Sequence, residues 1–283
     1  MSVSQSRSRA VLPYLALVAA FVMLPLGTAF SKQLFPLVGA AGTAFYRVGF
    51  AAFILLLLWR PWRRAWSRQE LLSMVAYGGA LSGMTLCFFM ALRTLPLGIT
   101  LAIELLGPLA MSALYARSLR NLLSVCLALG GVGLLLPIRQ DINSLDPIGV
   151  GFALAAGAFW ALYIICGARA AQVHPGHAVS LGLCFAALII APFGISSAGV
   201  SLLMPSSILL GLVAAAISAV IPYSLEMVAL RSIPKPVFGV LLAAEPAMGS
   251  LIGALWLLEA LSLSQITAIV LIVLAGIGAV SRT

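Results

Sequence analysis

The sequence predicts an all-α integral membrane protein of ten transmembrane helices, arranged as two inverted five-helix repeats. Three observations lead there. Of 283 residues, 63% are hydrophobic and only 8% charged, with a mean hydropathy of +1.15. Soluble domains carry about 25% charge, and a chain this apolar could not cover its own surface in water. The apolar residues fall into runs of roughly 17 to 23, long enough to cross a hydrocarbon core of about 30 Å. Finally, several motifs recur in order along the chain.

The runs can be placed one after another. Val11–Phe30, Val38–Leu58, Leu72–Leu92, Leu97–Tyr115 and Leu122–Pro137 precede a polar RQDINSLD segment. Ile148–Gly167, Ala178–Ile195, Ser207–Leu230, Val237–Trp256 and Leu263–Val280 follow it. Arg7 and Arg9 ahead of the first run resemble the start of a secretory signal, but the run is too long for a cleaved segment and more spans follow. Lys and Arg then set the orientation. With the N-terminus inside, the cytoplasmic segments hold Arg7, Arg9, Arg60, Arg63, Arg64, Arg68, Arg117, Arg120, Arg169, Arg231, Lys235 and Arg282. The opposite side holds Lys32, Arg93 and Arg139, so the bias is twelve to three and both termini are expected in the cytoplasm.

ALRTLP at Ala91–Pro96 returns as ALRSIP at Ala229–Pro234, an offset of 138. Gly98, with Glu104 six residues on, returns as Gly239 with Glu245, and L-x-G-x-G at Leu129–Gly133 returns at Leu274–Gly278. Chance explains the last match but not the ordered set. The expected repeats are residues 11–137 and 148–280. Each has five helices, an odd number, so the two have opposite orientations, which is a transporter architecture.

The same residues carry a family resemblance. KQLFPLVGA (Lys32–Ala40), PLGITLAIELLGPLA (Pro96–Ala110), FWALYIICGARA (Phe159–Ala170), IPYSLEMVAL (Ile221–Leu230) and AAEPA (Ala243–Ala247) are similar to the EamA-type branch of the drug/metabolite transporter superfamily. Within that branch the chain most resembles the bacterial threonine/homoserine exporters, from about Lys32 to Gln265. The resemblance implies amino-acid efflux across the cell inner membrane.

Ionisable residues inside spans mark the candidate site, because each is costly in hydrocarbon. Glu104 lies about seven residues, roughly 11 Å, from the outer end of span four, and Glu245 about eight from the inner end of span nine. Burial disfavours the ionised form, which suits either to carrying a proton. The bland alternative is a carboxyl permanently hydrogen-bonded between helices. Pro108 has no N–H for the carbonyl four residues back, which is that of Glu104, so a polar spot is created there. Arg47 sits mid-span in AFYRVGF and cannot shed its charge, so it is expected to pair with a carboxylate of the protein or the substrate. Glu226 stands about one turn from Arg231 near the cytoplasmic end of span eight, as gate or as anchor. Pro222 releases the Ser218 carbonyl and can bend that helix. Trp160, Tyr163, Tyr223 and Tyr46 are candidate cavity walls, although interfacial or core aromatics are commoner. GALSG (Gly79–Gly83) and GSLIG (Gly249–Gly253) read as helix packing.

A carrier competes with an intramembrane enzyme and with a passive bundle. No H-E-x-x-H or G-x-S-x-G is present, and Asp141 and Asp146 lie in a loop. A passive bundle has no need of buried glutamates, an arginine and an inverted repeat. The four cysteines lie in apolar runs without C-x-x-C spacing, and the HPGH histidines share a loop, so no metal site is expected. GGVG lacks a preceding strand, and no ATP-binding motif or other cofactor site is found. Energy would therefore come from a proton or substrate gradient. The net charge of +9 would suggest nucleic acid or a membrane surface in a soluble chain, but here its distribution, which sets orientation, matters more than its size, and no nucleic-acid partner is expected. Among carriers, an exporter of cationic drugs or of nucleotide sugars is the runner-up, but a hydrophobic-cation site has no use for Arg47 and a nucleotide-sugar site wants more buried cations than Arg47 alone. A zwitterion suits both signs, with Arg47 on the carboxylate and Glu104 or Glu245 on the ammonium. The partners expected are thus a small amino-acid substrate, the bilayer and, if the chain self-associates, a second copy in a homodimer.

Overall fold

The computed structural model describes residues 3–116, 118–135, 145–245, 247–248 and 263–280, with side chains given from residue 11 onward and not at 135. Arg117, Arg139, Asp141, the GSLIG motif, Arg282, the side chains of Arg7 and Arg9, and the ends of spans five and nine at Pro137 and Trp256 lie outside the described residues.

The described secondary structure is helical throughout. The helices are α1 (Val3–Ser31), α2 (Phe35–Trp59), α3 (Arg68–Ala91), α4 (Leu97–Glu104), α5 (Leu106–Leu114), α6 (Leu119–Leu135), α7 (Pro147–Ala170) and α8 (Pro175–Ala198). They continue with α9 (Pro205–Ala215), α10 (Ile221–Ser232), α11 (Lys235–Leu241) and α12 (Leu263–Val280). Among the described residues, seven apolar helical stretches are long enough to cross a membrane, the first running from Val11 to Arg63 through both α1 and α2. The polarity is inverted relative to a soluble protein. Phe53 and Leu188 are 59% and 65% exposed, whereas Arg47 is 4% exposed. Apolar faces outward and charges inward describe a multi-pass membrane protein.

Local chemistry fixes the helix ends. Arg60 closes α2 in the left-handed region (φ 47°), its N–H donating to the Leu56 carbonyl at 2.8 Å, and Pro61 prevents continuation. Ser67 and Glu70 form a capping box on α3: the Ser67 N–H donates to Glu70 at 2.9 Å, and the Glu70 N–H to the Ser67 hydroxyl at 3.2 Å. Arg64 adds an ion pair to Glu70 at 2.6 Å. Asp146 caps α7, accepting from the amides of Ile148 and Gly149 at 3.2 and 3.0 Å, with Pro147 at the first helical position.

Four spans are interrupted among the described residues, span nine by a turn at residues 242–243 directly after α11. Gly39 holds φ at 69° inside α2, a conformation that side-chain-bearing residues resist, and kinks the helix there. Span four divides at Leu105 into α4 and α5, with Glu104 as the last residue before the break. Span eight passes from α9 through a π-helical turn at Ala216–Val220 into α10. The break at Glu104 and the π turn each lie within four residues of a proline in the sequence, Pro108 and Pro222.

The chain divides into two compact units. Unit 1 takes residues 1–79 and 165–234, and unit 2 takes 80–164 and 235–283, so the boundaries fall inside α3 and α7. In unit 1, α2 packs along α8 and α1 along α10. A core of Leu34, Val38, Tyr46, Leu202 and Ala214 lies among these elements and α9. In unit 2, α6 packs on α12 and α5 on α11. Of the GALSG glycines, Gly83 is a packing position, since a Cβ there would lie 2.6 Å from the Phe159 ring, whereas a Cβ on Gly79 meets nothing within 4 Å. The close neighbour is Gly78, where a Cβ would meet the Gly182 carbonyl at 2.6 Å.

Candidate functional site

In unit 1 the site is built around Arg47. Its place in the middle of α2 puts the guanidinium against the π turn that leads into α10. Nε donates to the Ser218 carbonyl at 3.2 Å and to the Ser218 hydroxyl at 3.1 Å, while Nη2 donates to the same carbonyl at 2.7 Å. The carbonyl is available because Pro222, four residues on, has no N–H to give it. The proline that disfavours a regular helix thus creates the acceptor for a buried cation. The Tyr223 ring lies under the guanidinium, 5.3 Å from Cζ to centroid, and adds a cation–π contact.

Ser218 is held from three sides. Its hydroxyl donates to the Ala214 carbonyl at 2.6 Å, and the Ser31 hydroxyl approaches it at 3.4 Å. Ser31 itself donates to the Gly27 carbonyl at 2.7 Å. Gly27 lets α1 come this close: a Cβ there would lie 2.5 Å from the Ser218 Cα. Pro222 marks the Ser218 carbonyl in the sequence, but no spacing there matches it with Arg47. Nothing local links positions 171 residues apart. Gly27 and Ser31 were missed altogether, and the sequence signal that could have found them is a Gly-x-x-x-Ser pair of small residues on one helix face.

Glu226 lies one turn beyond Tyr223 on α10 and is 2% exposed. It is therefore turned into the protein and not to the interface, while Arg231 in the last turn is exposed. Tyr46 is occupied elsewhere, donating its hydroxyl to the Leu202 carbonyl and stacking on Phe50 at 4.9 Å. An apolar groove of about 650 Å³ beside it is lined by Phe45, Phe50, Phe53, Leu188 and Leu212. With Phe53 and Leu188 largely exposed, its chemistry suits lipid chains.

Unit 2 gathers the other candidates. Glu104 ends α4 and is 5% exposed, and Glu245 lies just beyond α11 at 4%. The Glu104 carbonyl, released by Pro108, faces α7: a Cβ on Gly157 would lie 2.5 Å from it, and one on Gly107 would lie 1.9 Å from the Gly157 carbonyl. Glycine at both 107 and 157 leaves room for this approach. Trp160, one turn along α7 from Gly157, and Tyr163 are both buried. Near the second glutamate, Gly239 of α11 abuts the Pro108 carbonyl and the Ser112 hydroxyl of α5, at 2.8 and 2.2 Å from a Cβ built on it. The predicted residues therefore fall into two groups. Arg47, Tyr223 and Glu226 belong to unit 1, and Glu104, Glu245, Trp160 and Tyr163 to unit 2.

The HPGH histidines have local roles. The His174 Nδ1 accepts the His177 N–H at 3.4 Å as the cap of α8, and the two rings sit with Trp59 and Trp66 in an aromatic cluster. Among the described residues no group of three or more metal-ligating side chains occurs.

Residues 147–281 match the EamA-like transporter family. Over 267 residues, 94% of this chain and 90% of the relative, the sequence is 39% identical to the threonine/homoserine exporter RhtA of Escherichia coli (strain K12). The same figures hold for the threonine/homoserine exporter RhtA of Salmonella typhimurium (strain LT2). A protein crystal structure superposes with a TM-score of 0.74 over 97% of each chain at 21% identity, a shared fold.

Proposed function

This chain belongs to the EamA-like transporter family, and we propose that it exports small neutral amino acids of the threonine and homoserine class across the inner membrane. Membership makes it a membrane-embedded secondary exporter, not an enzyme. The observation that carries the substrate reading is Arg47, a permanent cation almost wholly buried in an apolar helix and held by the neutral oxygens of Ser218. A substrate carboxylate is a stronger partner for a guanidinium than a carbonyl is. The full-length similarity to threonine/homoserine exporters supports the class of amino acid.

The remaining roles belong to the same reading. Glu104 and Glu245 supply carboxylates for a proton or for the substrate's ammonium, Glu226 serves as a gate, and Tyr223 supports the Arg47 end. Trp160 and Tyr163 bound the side-chain pocket. Ten spans in two inverted repeats, 11–137 and 148–280, complete the architecture, and the family match over 147–281 supports the second boundary. The twelve-to-three cation bias supports cytoplasmic termini.

The test is protection from toxic homoserine. Cells expressing the protein are expected to survive, and Arg47→Ala or Arg47→Lys to lose most of that protection at equal membrane abundance, because lysine keeps the charge without the planar fork. Full protection by Arg47→Ala removes Arg47 from the site. Absence of protection and of amino-acid efflux with the parent protein turns the substrate reading toward cationic drugs.

A further inference from the structure

The edge of the Arg47 guanidinium formed by Nε and Nη2 is the fork that grips a carboxylate with two parallel hydrogen bonds. Here both positions are filled by one residue, through the Ser218 carbonyl and hydroxyl oxygens. Ser218 thus imitates a carboxylate. It is fully buried, in a π-helical turn of the kind that recurs at functional sites. Its carbonyl cannot take the ordinary helical bond, because Pro222 stands where the donor would be.

We propose that Ser218 is a substrate-binding residue: the amino acid's carboxylate displaces it from the Arg47 fork, and the released Ser218 carbonyl accepts the α-ammonium. The inference rests on the reading of Arg47 as the carboxylate's partner. It leaves Glu104 and Glu245 to the proton.

The exchange conserves hydrogen bonds. Arg47 trades a neutral acceptor for an anion, and the Ser218 carbonyl trades one cationic donor for another. A ligand with a carboxylate alone strands the carbonyl in a buried site without that donor, which costs the desolvation of a polar group. An amine alone must compete with Arg47 for the carbonyl and gains nothing from the guanidinium. Only a ligand with both charges on one carbon satisfies both groups, so the pair selects α-amino acids as zwitterions. The hydrogen bond to the Ala214 carbonyl and the contact with Ser31 hold Ser218 in place while its partners change.

Pro222→Ala tests this directly, because it supplies the N–H that the Ser218 carbonyl lacks. Binding of labelled L-threonine to the purified full-length protein is measured, with 3-hydroxybutyrate, which lacks the ammonium, and 1-aminopropan-2-ol, which lacks the carboxylate, as competitors. Pro222→Ala is expected to weaken threonine about tenfold, the loss of one hydrogen bond to a charged group, and to strengthen 3-hydroxybutyrate, which no longer strands the carbonyl. Unchanged threonine binding, or equal weakening of both ligands, overturns the role of Ser218. Arg47→Ala separates the two levels: if it binds threonine like the parent, the carboxylate reading itself fails. Should Pro222→Ala not give a folded protein by gel filtration, the parent protein still decides, since 3-hydroxybutyrate competing as well as threonine overturns the inference.

Discussion

Gly27→Ala adds one methyl group at the place where α1 backs onto the π turn. That methyl would lie 2.5, 2.6 and 2.7 Å from the Ser218 Cα, Cβ and N. Carbon atoms pack at about 3.5–4.0 Å, so relief requires a shift of about 1 Å. Two of the three atoms are backbone, and no rotamer change can move them. Overpacking of this kind costs about 1–3 kcal/mol, and the roughly 0.5–1 kcal/mol that alanine gains over glycine in a helix offsets only part of it. A shift of that size at Ser218 also disturbs the 2.7 Å contact between Arg47 and the Ser218 carbonyl. The assay is thermal unfolding of the purified protein alongside homoserine efflux, with Gly151→Ala as control. A Cβ at Gly151 meets nothing within 4 Å, so that variant is expected to be at least as stable as the parent. Gly27→Ala should lower Tm and depress efflux. A Gly27→Ala protein with parental Tm and efflux refutes the reasoning.

Gly157→Ala places a methyl 2.5 Å from the Glu104 carbonyl oxygen, with the next atoms at 3.2 and 3.3 Å, and should cost about 1–3 kcal/mol, read as a Tm loss no larger than that of Gly27→Ala. Asp146 is held below the ordinary carboxylate range by the Thr94 hydroxyl first and the Gly149 and Ile148 amides after it, against a desolvation that acts the other way. Its contribution to stability is therefore present at neutral pH and lost as pH falls through its lowered value. The Tm difference between parent and Asp146→Asn should shrink over that acidic range, and a difference independent of pH would contradict the assignment. Glu104→Gln and Glu245→Gln remove the ionisable carboxyls while keeping their shape; at least one should abolish gradient-driven efflux, and normal pumping by both clears them of proton coupling. Single cysteines at Ser67 and Asn143, in a background without native cysteines, should differ in whole-cell labelling by an impermeant thiol reagent, with Asn143→Cys labelled and Ser67→Cys protected.

The helical class was legible because hydrophobic runs of membrane-spanning length leave no other reading, and the interruptions were partly legible because proline names the carbonyl it releases. Pro222 pointed to Ser218 and Pro108 to Glu104 by counting four residues back. What meets each released carbonyl was not legible. Arg47 reaches Ser218 across 171 positions, and Gly157 reaches Glu104 by a close backbone approach that only coordinates reveal. The same limit explains GALSG, where sequence spacing favoured Gly79 and the packing uses Gly78 and Gly83. Small residues fit everywhere, so their pattern does not say which of them a neighbour touches. Glu226 was ambiguous because its distance from the helix end allowed either interface or interior; its burial comes from the packing of α10 against α1 and α8.

The most direct test of the transport reading is counterflow in proteoliposomes. Purified protein is reconstituted, loaded with unlabelled homoserine and exposed to labelled homoserine outside. The expected result is saturable accumulation of label with the parent protein, inhibited by threonine, and none above empty liposomes with Arg47→Ala at equal incorporation. Accumulation by Arg47→Ala equal to the parent, or no accumulation of any small neutral amino acid by the parent, would contradict it.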